Sequence, residues 1–181
     1  MINHAQIAMR ELLDYDIDSG LLTWKWRDRK WFTRDQDWRR WNTRFAGQEF
    51  GTVAAKGYRH GRLDALGFGK RLAHRVIWFW TWGYWPECLD HIDGNPLNNR
   101  LDNLREVTNQ ENQKNAKRRC DNTTGVTGVH WHKATGKFQA SIKVDGRKIF
   151  LGLHETLEEA AAARKDAEIK YGFHENHGRA A

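Results

Sequence analysis

The stretch DHIDGNPLNNRLDNLREVTNQENQKN, Asp90 to Asn115, decides how this chain is read. It packs seven asparagines and one Asp–His pair into 26 residues. Asparagine is a poor choice inside a helix or strand, because its amide competes for backbone groups. Such a density means either a long polar loop or side chains placed to hold something. CLDHID (88–93) reads as a short strand ending in a turn at Asp93-Gly94. Leu97, Leu101 and Leu104 are spaced to pin the following loop to a core. Thr108 and Glu111 form a capping box, in which each side chain satisfies the other's backbone N–H, so a helix begins at about 109. Asn112 falls in its first turns, with Asn115 one turn on along the same face. The order is strand, Asn-rich loop, helix.

Upstream, residues 2–13 carry Ile2, Ala5, Met9, Leu12 and Leu13 at helical spacing. Asp18-Ser19-Gly20 is a turn and LLTWKW (21–26) a strand. Residues 27–45 mix tryptophan with many charges and read as a partly exposed loop with a helical turn. It is either a solvated insertion anchored by aromatics or a further contact to nucleic acid. From Gly47, regularly spaced glycines punctuate short runs, as in a meander of tight hairpins. In LAHRVIWFWTWGYWP (72–86), Leu72, Val76, Phe79 and Trp80 share a helical face that Gly83 and Pro86 end. His74 near its start reads as a structural histidine.

Nine of the ten tryptophans lie before Pro86, so the two halves differ in composition and read as two modules. CDNTTG (120–125) is the linker between them. The second module carries KFQASIKV and RKIFLGLH around Asp145-Gly146, a strong hairpin signal. Phe138, Ala140, Ile142 and Val144 alternate with Gln139, Ser141 and Lys143, giving one apolar and one polar, basic face. Thr156 and Glu159 form a second capping box, opening an Ala-rich helix over 157–171 that stops at Gly172. Ala160, Ala163 and Ala167 let that helix lie close to the apolar face, which leaves the basic face bare.

The net charge is +7 and the isoelectric point about 9.6. Residues 114–148 alone hold nine Lys or Arg against two acids, a balance equal to that of the whole chain. A polyanion is the first candidate partner, nucleic acid before an anionic membrane surface. No apolar run approaches the roughly 20 residues of a membrane span, and the N-terminus has no signal-peptide pattern. An intracellular protein without a membrane partner is expected. Cys88 and Cys120 are too few for a disulfide framework and read as reduced thiols. His130 and His132 have no cysteine pair or carboxylate cluster beside them to make a zinc site.

Hydrolysing a phosphodiester needs a base for water, a cation for the charge on the phosphate and leaving oxygen, and a frame holding both in line. The opening stretch offers Asp90 as a carboxylate for a cation such as Mg²⁺ and His91 as the base. Residues 90–115, with AHRVIW (73–78) upstream, resemble the HNH nuclease family. More narrowly, they resemble the phage and intron homing endonucleases in which the last His is replaced by Asn. Asn falls 12 and 21 positions after His91, at Asn103 and Asn112, as in that motif. The resemblance covers roughly residues 12–118 and implies a ββα-metal fold with its core at about 72–116. It implies Asp90 and Asn112 as ligands of Mg²⁺ or Mn²⁺, His91 as general base, and Asn103 as the residue that steadies the histidine loop. It also implies double-stranded DNA as substrate, and a phage- or mobile-element-encoded chain acting in the cytoplasm of a bacterial host.

Residues 125–173, with TGVHWH, KFQASI, RKIFLG and the TLEEAAAA helix, resemble the plant-type APETALA/ethylene-response-factor DNA-binding domain. By that match Thr127, His130, His132, Ser141, Lys143, Lys148 and Phe150 face DNA. Histidines at 130 and 132 replace the arginines usual in the plant domains, and Phe150 replaces a Trp. Lys114, Lys117, Arg118 and Arg119 would grip phosphates. The expected fold class is α+β: a nuclease module over 1–119, a linker over 120–125, a three-stranded antiparallel sheet on one helix over 126–175, and a tail over 176–181. The function expected is a metal-dependent DNA endonuclease, monomeric or homodimeric, that nicks or breaks both strands. The alternative is a non-catalytic DNA-binding regulator on the same fold.

Overall fold

The computed structural model describes residues 3–179. Ile2 of the expected first helix and residues 180–181 of the expected tail lie outside them. The chain divides between Glu106 and Val107 into two compact units. It is an α+β protein built of small antiparallel sheets.

In the first unit, helix α1 (His4–Leu12) is capped by the Asn3 side chain, which accepts from the Gln6 amide. It runs directly into a two-stranded hairpin, β1 (Leu13–Tyr15) and β2 (Leu22–Trp24). The segment 27–45, expected as a loop with one helical turn, is instead a 3-10 turn over Arg29–Trp31 and an eleven-residue helix, α2 (Asp35–Phe45). No side chain caps α2 at its N-terminus, so the local start signal was missing. A long-range clasp holds it: the buried Asn42 amide accepts from Arg27 N at 2.8 Å and donates to Arg27 O at 3.0 Å.

Strands β3 (Thr52–Val53), β4 (Arg59–Arg62) and β5 (Lys70–Leu72) form the expected glycine-rich meander. Helix α3 (Ala73–Trp82) follows and ends at Gly83 in the left-handed region, φ 79°. The last carbonyls of α3 would otherwise lack donors. Gln6 and Arg10 of α1 supply them, reaching Trp80 O and Thr81 O at 3.0–3.3 Å. Met9, Leu12, Leu13, Trp24, Phe50, Leu63, Val76, Ile77 and Phe79 build the core these elements share. A hairpin of β6 (Leu89–His91) and β7 (Leu104–Glu106) closes the unit. Leu104 is buried as expected, whereas Leu97 is about half exposed and pins nothing.

The second unit opens with α4 (Asn109–Lys114), whose capping box is formed by Thr108 and Glu111. Its C-terminal end is bound to the chain's last described residues: His174 N donates to Lys114 O, Gly178 N to Ala116 O, and Arg118 N to Arg179 O. Strands β8 (Val129–His132), β9 (Lys137–Val144) and β10 (Arg147–His154) form a sheet in the order β10-β9-β8. Asp145 and Gly146 both take positive φ at the β9–β10 turn, 50° and 78°, the conformation an Asp-Gly hairpin requires. Helix α5 (Leu157–Lys170), with the second capping box, covers the face formed by Val129, Ala140 and Leu151. Its buried stripe includes Ala160 and Ala167 and also an unforeseen ion pair, Arg164 Nε to Glu168 Oε1 at 2.9 Å. Gly128 makes room for it: a Cβ there would lie 2.4 Å from Ser141 O and 2.8 Å from Arg164 Nη1, the groups that bond each other at 2.7 Å.

Candidate active site

The β6–β7 hairpin carries an unusually long connection, and its own side chains close it. Asn103 Oδ1 accepts from Asp93 N at 3.0 Å. Its Nδ2 donates to Asp93 Oδ1 at 2.9 Å and to Asn98 O at 2.8 Å. The Asp93 carboxylate accepts further from Asn95 N and Asn98 Nδ2, each at 2.7 Å. Burial works to raise the Asp93 pKa, but these hydrogen bonds outweigh it and hold the carboxyl below its ordinary value. The amide-rich loop is thus a network around one carboxylate. Four of the seven asparagines belong to this loop: 95, 98 and 103 in the network, and 99 on the histidine.

His91 ends strand β6 and is 4% exposed. Its Nε2 lies 3.0 Å from Asn99 Oδ1, and Asn99 is itself fixed by Tyr15, whose hydroxyl donates to Asn99 O at 3.0 Å. The ring packs against His74, centroids 4.9 Å apart, and Tyr58, 6.0 Å apart. Burial pushes the His91 pKa below its ordinary value, opposed by Asn99, Asp93 and Asp90, so the neutral imidazole prevails at neutral pH. A neutral imidazole is the form that can take a proton from water.

Asp90 is buried and stands opposite Arg105 across the hairpin, with Arg105 Nη2 3.0 Å from Asp90 Oδ2. Adjacent strand residues face opposite ways, so Asp90 and His91 present different sides of β6. Among the described residues no group of three or more His, Cys, Asp or Glu is placed to hold a metal. One carboxylate suits a hard cation that keeps most of its waters and takes phosphate oxygens, and does not suit zinc. In that sense the donor chemistry of Asp90 fits Mg²⁺ or Mn²⁺. Asn112, the other expected ligand, is exposed on α4 of the second unit.

Sequence reasoning missed Asn99, Arg105, Tyr58 and the hub role of Asp93. Arg105 was recoverable from the hairpin register. Nothing local distinguishes Asn99 from Asn98. His74, read as structural, proves to be a wall of the histidine's pocket.

The expected DNA-facing residues fall into two groups. His130, Lys143, Lys148 and Phe150 are exposed and His132 is half-buried, its Nδ1 2.8 Å from Thr135 Oγ1. Lys143 and Lys148 are direct cross-strand partners. Ser141 is buried with its hydroxyl 3.4 Å from Gly128 O, and Thr127 Oγ1 is buried without a hydrogen-bond partner. Of the basic run, Lys117 is exposed. Lys114 donates to Tyr171 O at 2.8 Å, Arg118 to Gly125 O at 2.6 Å, and Arg119 pairs with Asp121 at 2.7 Å.

Against known families, residues 71–114 match the HNH endonuclease model. That span runs from β5 through the histidine hairpin to the end of α4. A 90-residue stretch is 38% identical to Protein 3.8 of Escherichia phage T7, covering 49% of this chain and 74% of the phage protein. The chain belongs to the family of that phage protein and carries an HNH endonuclease domain. No solved structure matches it. No helix among the described residues is long and apolar enough to cross a membrane. The HNH domain suggests a nuclease; HNH nucleases act on DNA and generally use a divalent metal.

Burial, with the neighbouring His91 and Arg75, lowers the His74 pKa to about 3 from 6.5. A folded pKa below the unfolded one gives stability that is full above about pH 6.5 and is lost as pH falls toward 3. Protonation of His74 in the unfolded chain should therefore cost about 2 kcal/mol by pH 5. Urea unfolding at pH 7 and pH 5 should show that loss in wild type, and His74→Phe should show about that much less.

Proposed function

We propose that this chain is a metal-dependent DNA endonuclease of the homing type, in which the HNH domain cuts and the C-terminal unit recognises DNA. The observation that carries the reading is the neutral His91, oriented by Asn99 at the end of β6 inside the matched HNH domain. His91 takes a proton from water as the water oxygen bonds to phosphorus and the bond from phosphorus to the 3′-oxygen breaks. The departing 3′-oxygen takes a proton from solvent water, so the products are a 5′-phosphate and a 3′-hydroxyl. A bound Mg²⁺ or Mn²⁺ would neutralise charge on the phosphate and the departing oxygen. Asp90 would hold it, and Asn112 is assigned to it by the motif alone. Asn103 acts through the loop: its three hydrogen bonds fix Asp93 and Asn98, and so the path on which Asn99 stands.

One such site cuts one strand, so a monomer nicks and a dimer or two successive events break the duplex. The host cytoplasm is where a phage-encoded nuclease of this kind would meet DNA. The Asp90–Arg105 ion pair favours a second reading, a DNA-binding protein that does not cleave, because a cation at Asp90 must share the carboxylate with a guanidinium.

For the C-terminal unit, the support is the outer sheet face. Like charges directly opposite on a sheet repel, and Lys143 stands opposite Lys148 beside the exposed Phe150. A polyanion on that face relieves the repulsion, and Phe150 supplies an apolar contact to a base edge.

Two measurements test this. A supercoiled plasmid incubated with Mg²⁺ or Mn²⁺ should be converted to open-circular or linear DNA, and EDTA should stop it. His91→Ala should lower the rate by about 10²–10⁴-fold with DNA binding retained. Binding without cleavage on any DNA, including the flanks of the gene itself, would select the second reading. Replacing Lys143 and Lys148 by Gln should weaken DNA binding and reduce the slope of log affinity against log salt by about 2. An unchanged slope would remove that face from the interface.

A further inference from the structure

Residues 27–45 lie outside the matched HNH domain and supply nothing to the histidine site. They build a site of their own around Arg27. Arg27 is 8% exposed, and its guanidinium carbon lies 3.7 Å from the Trp41 ring centre and 4.6 Å from that of Trp24. Its Nε is buried with no hydrogen-bond partner, and no carboxylate is paired with it among the described residues. Burial pushes its pKa down to about 10. A buried charge is ordinarily paired, and contact with two indoles offsets only part of the cost of burying it.

That guanidinium lines a cavity of about 310 Å³ whose walls include Trp24, Trp41 and Phe45. The acids on the rim are already committed, Glu49 to Arg59 at 2.7 Å and Asp64 to Arg62 at 2.8 Å. The pocket is therefore lined by aromatic side chains and by an arginine that has no carboxylate of its own. It is also held in place. Asn42 clasps the Arg27 backbone from both sides, and Trp38 Nε1 donates to Arg27 O at 2.9 Å. Outside the cavity, Arg39, Arg40 and Arg44 are exposed on α2 with no ion pair among the described residues, whereas Arg34 is paired with Asp37. Arg44 lies over Phe45, one of the cavity walls, at 5.1 Å.

We infer that this pocket takes one unstacked nucleobase of a DNA strand, with Arg27 donating to a ring carbonyl or nitrogen and the free α2 arginines on the adjoining phosphates. A planar heterocycle with in-plane acceptors matches aromatic walls plus a guanidinium. A phosphate in the same cavity would lose its water against three aromatic rings for one donor group. The inference rests on the reading of the chain as a DNA-binding protein and does not require cleavage.

The test uses the full chain in EDTA, so that nothing is cut, and fluorescence anisotropy with three labelled duplexes. One carries a single extrahelical nucleotide, one an abasic residue at the same bulge, and one is fully paired. The base-containing bulge should bind about tenfold tighter than the abasic one, and Arg27→Met should erase the difference. Methionine replaces an unmatched buried charge with an apolar chain, so the variant should melt no lower than wild type, keeping the loss attributable to the pocket. Equal binding of base and abasic bulges by wild type overturns the inference. So does a preference that survives in Arg27→Met, or a chain that binds none of the duplexes. A chain that prefers the base yet cleaves no plasmid keeps this inference and loses the nuclease reading; one that cleaves without the preference loses this inference alone.

Discussion

The carboxamide of Asn103 is the constraint on which the loop between β6 and β7 depends. A connection this long and polar has many backbone groups to satisfy and little apolar surface to bury, so nothing but hydrogen bonding can give it one conformation. Asn103 serves as donor and acceptor at once, and Asp93 gathers the remaining donors. With that loop closed, Asn99 is brought to His91 and secured from behind by Tyr15. An amide suits this loop because Asn103 accepts one hydrogen bond and donates two, where a serine has a single proton to donate and an ionised aspartate has none.

The position of His91 also depends on the aromatic first half of the chain. Helices α1 and α3 pack through Met9, Leu12, Val76 and Ile77, and α3 carries His74 to the histidine's ring. A buried, neutral His74 leaves a wall without charge, so His91 is desolvated on that side and stays a base at neutral pH. Arg105 does the opposite for Asp90, setting a guanidinium 3.0 Å from its buried carboxylate. The two neighbours on one short strand thus receive contrasting environments from opposite faces of the hairpin.

Much of this was legible because it is local. Both capping boxes, the Asp145-Gly146 hairpin and the Gly83 stop are each set within a few residues, and each formed where the residues indicated. The motif positions Asp90, His91 and Asn103 do meet in one hairpin. What sequence did not show depends on distant partners. Helix α2 has no cap of its own and is held by Asn42 on Arg27. Arg164 looks like an exposed helix residue and is buried through Ser141, Glu168 and His177. Ser141 alternates onto the basic face yet is covered, because Gly128 approaches it. Lys114 reads as a phosphate grip but its ammonium is bonded to Tyr171.

In the proposed mechanism the His91 imidazole is the base that activates water. Chemical rescue tests it most directly: His91→Gly, assayed on plasmid DNA with Mg²⁺, with and without added imidazole. Cleavage should be negligible without imidazole, and its rate should rise with the concentration of neutral imidazole, giving 5′-phosphate ends. Cleavage by His91→Gly at the wild-type rate in the absence of imidazole would contradict it.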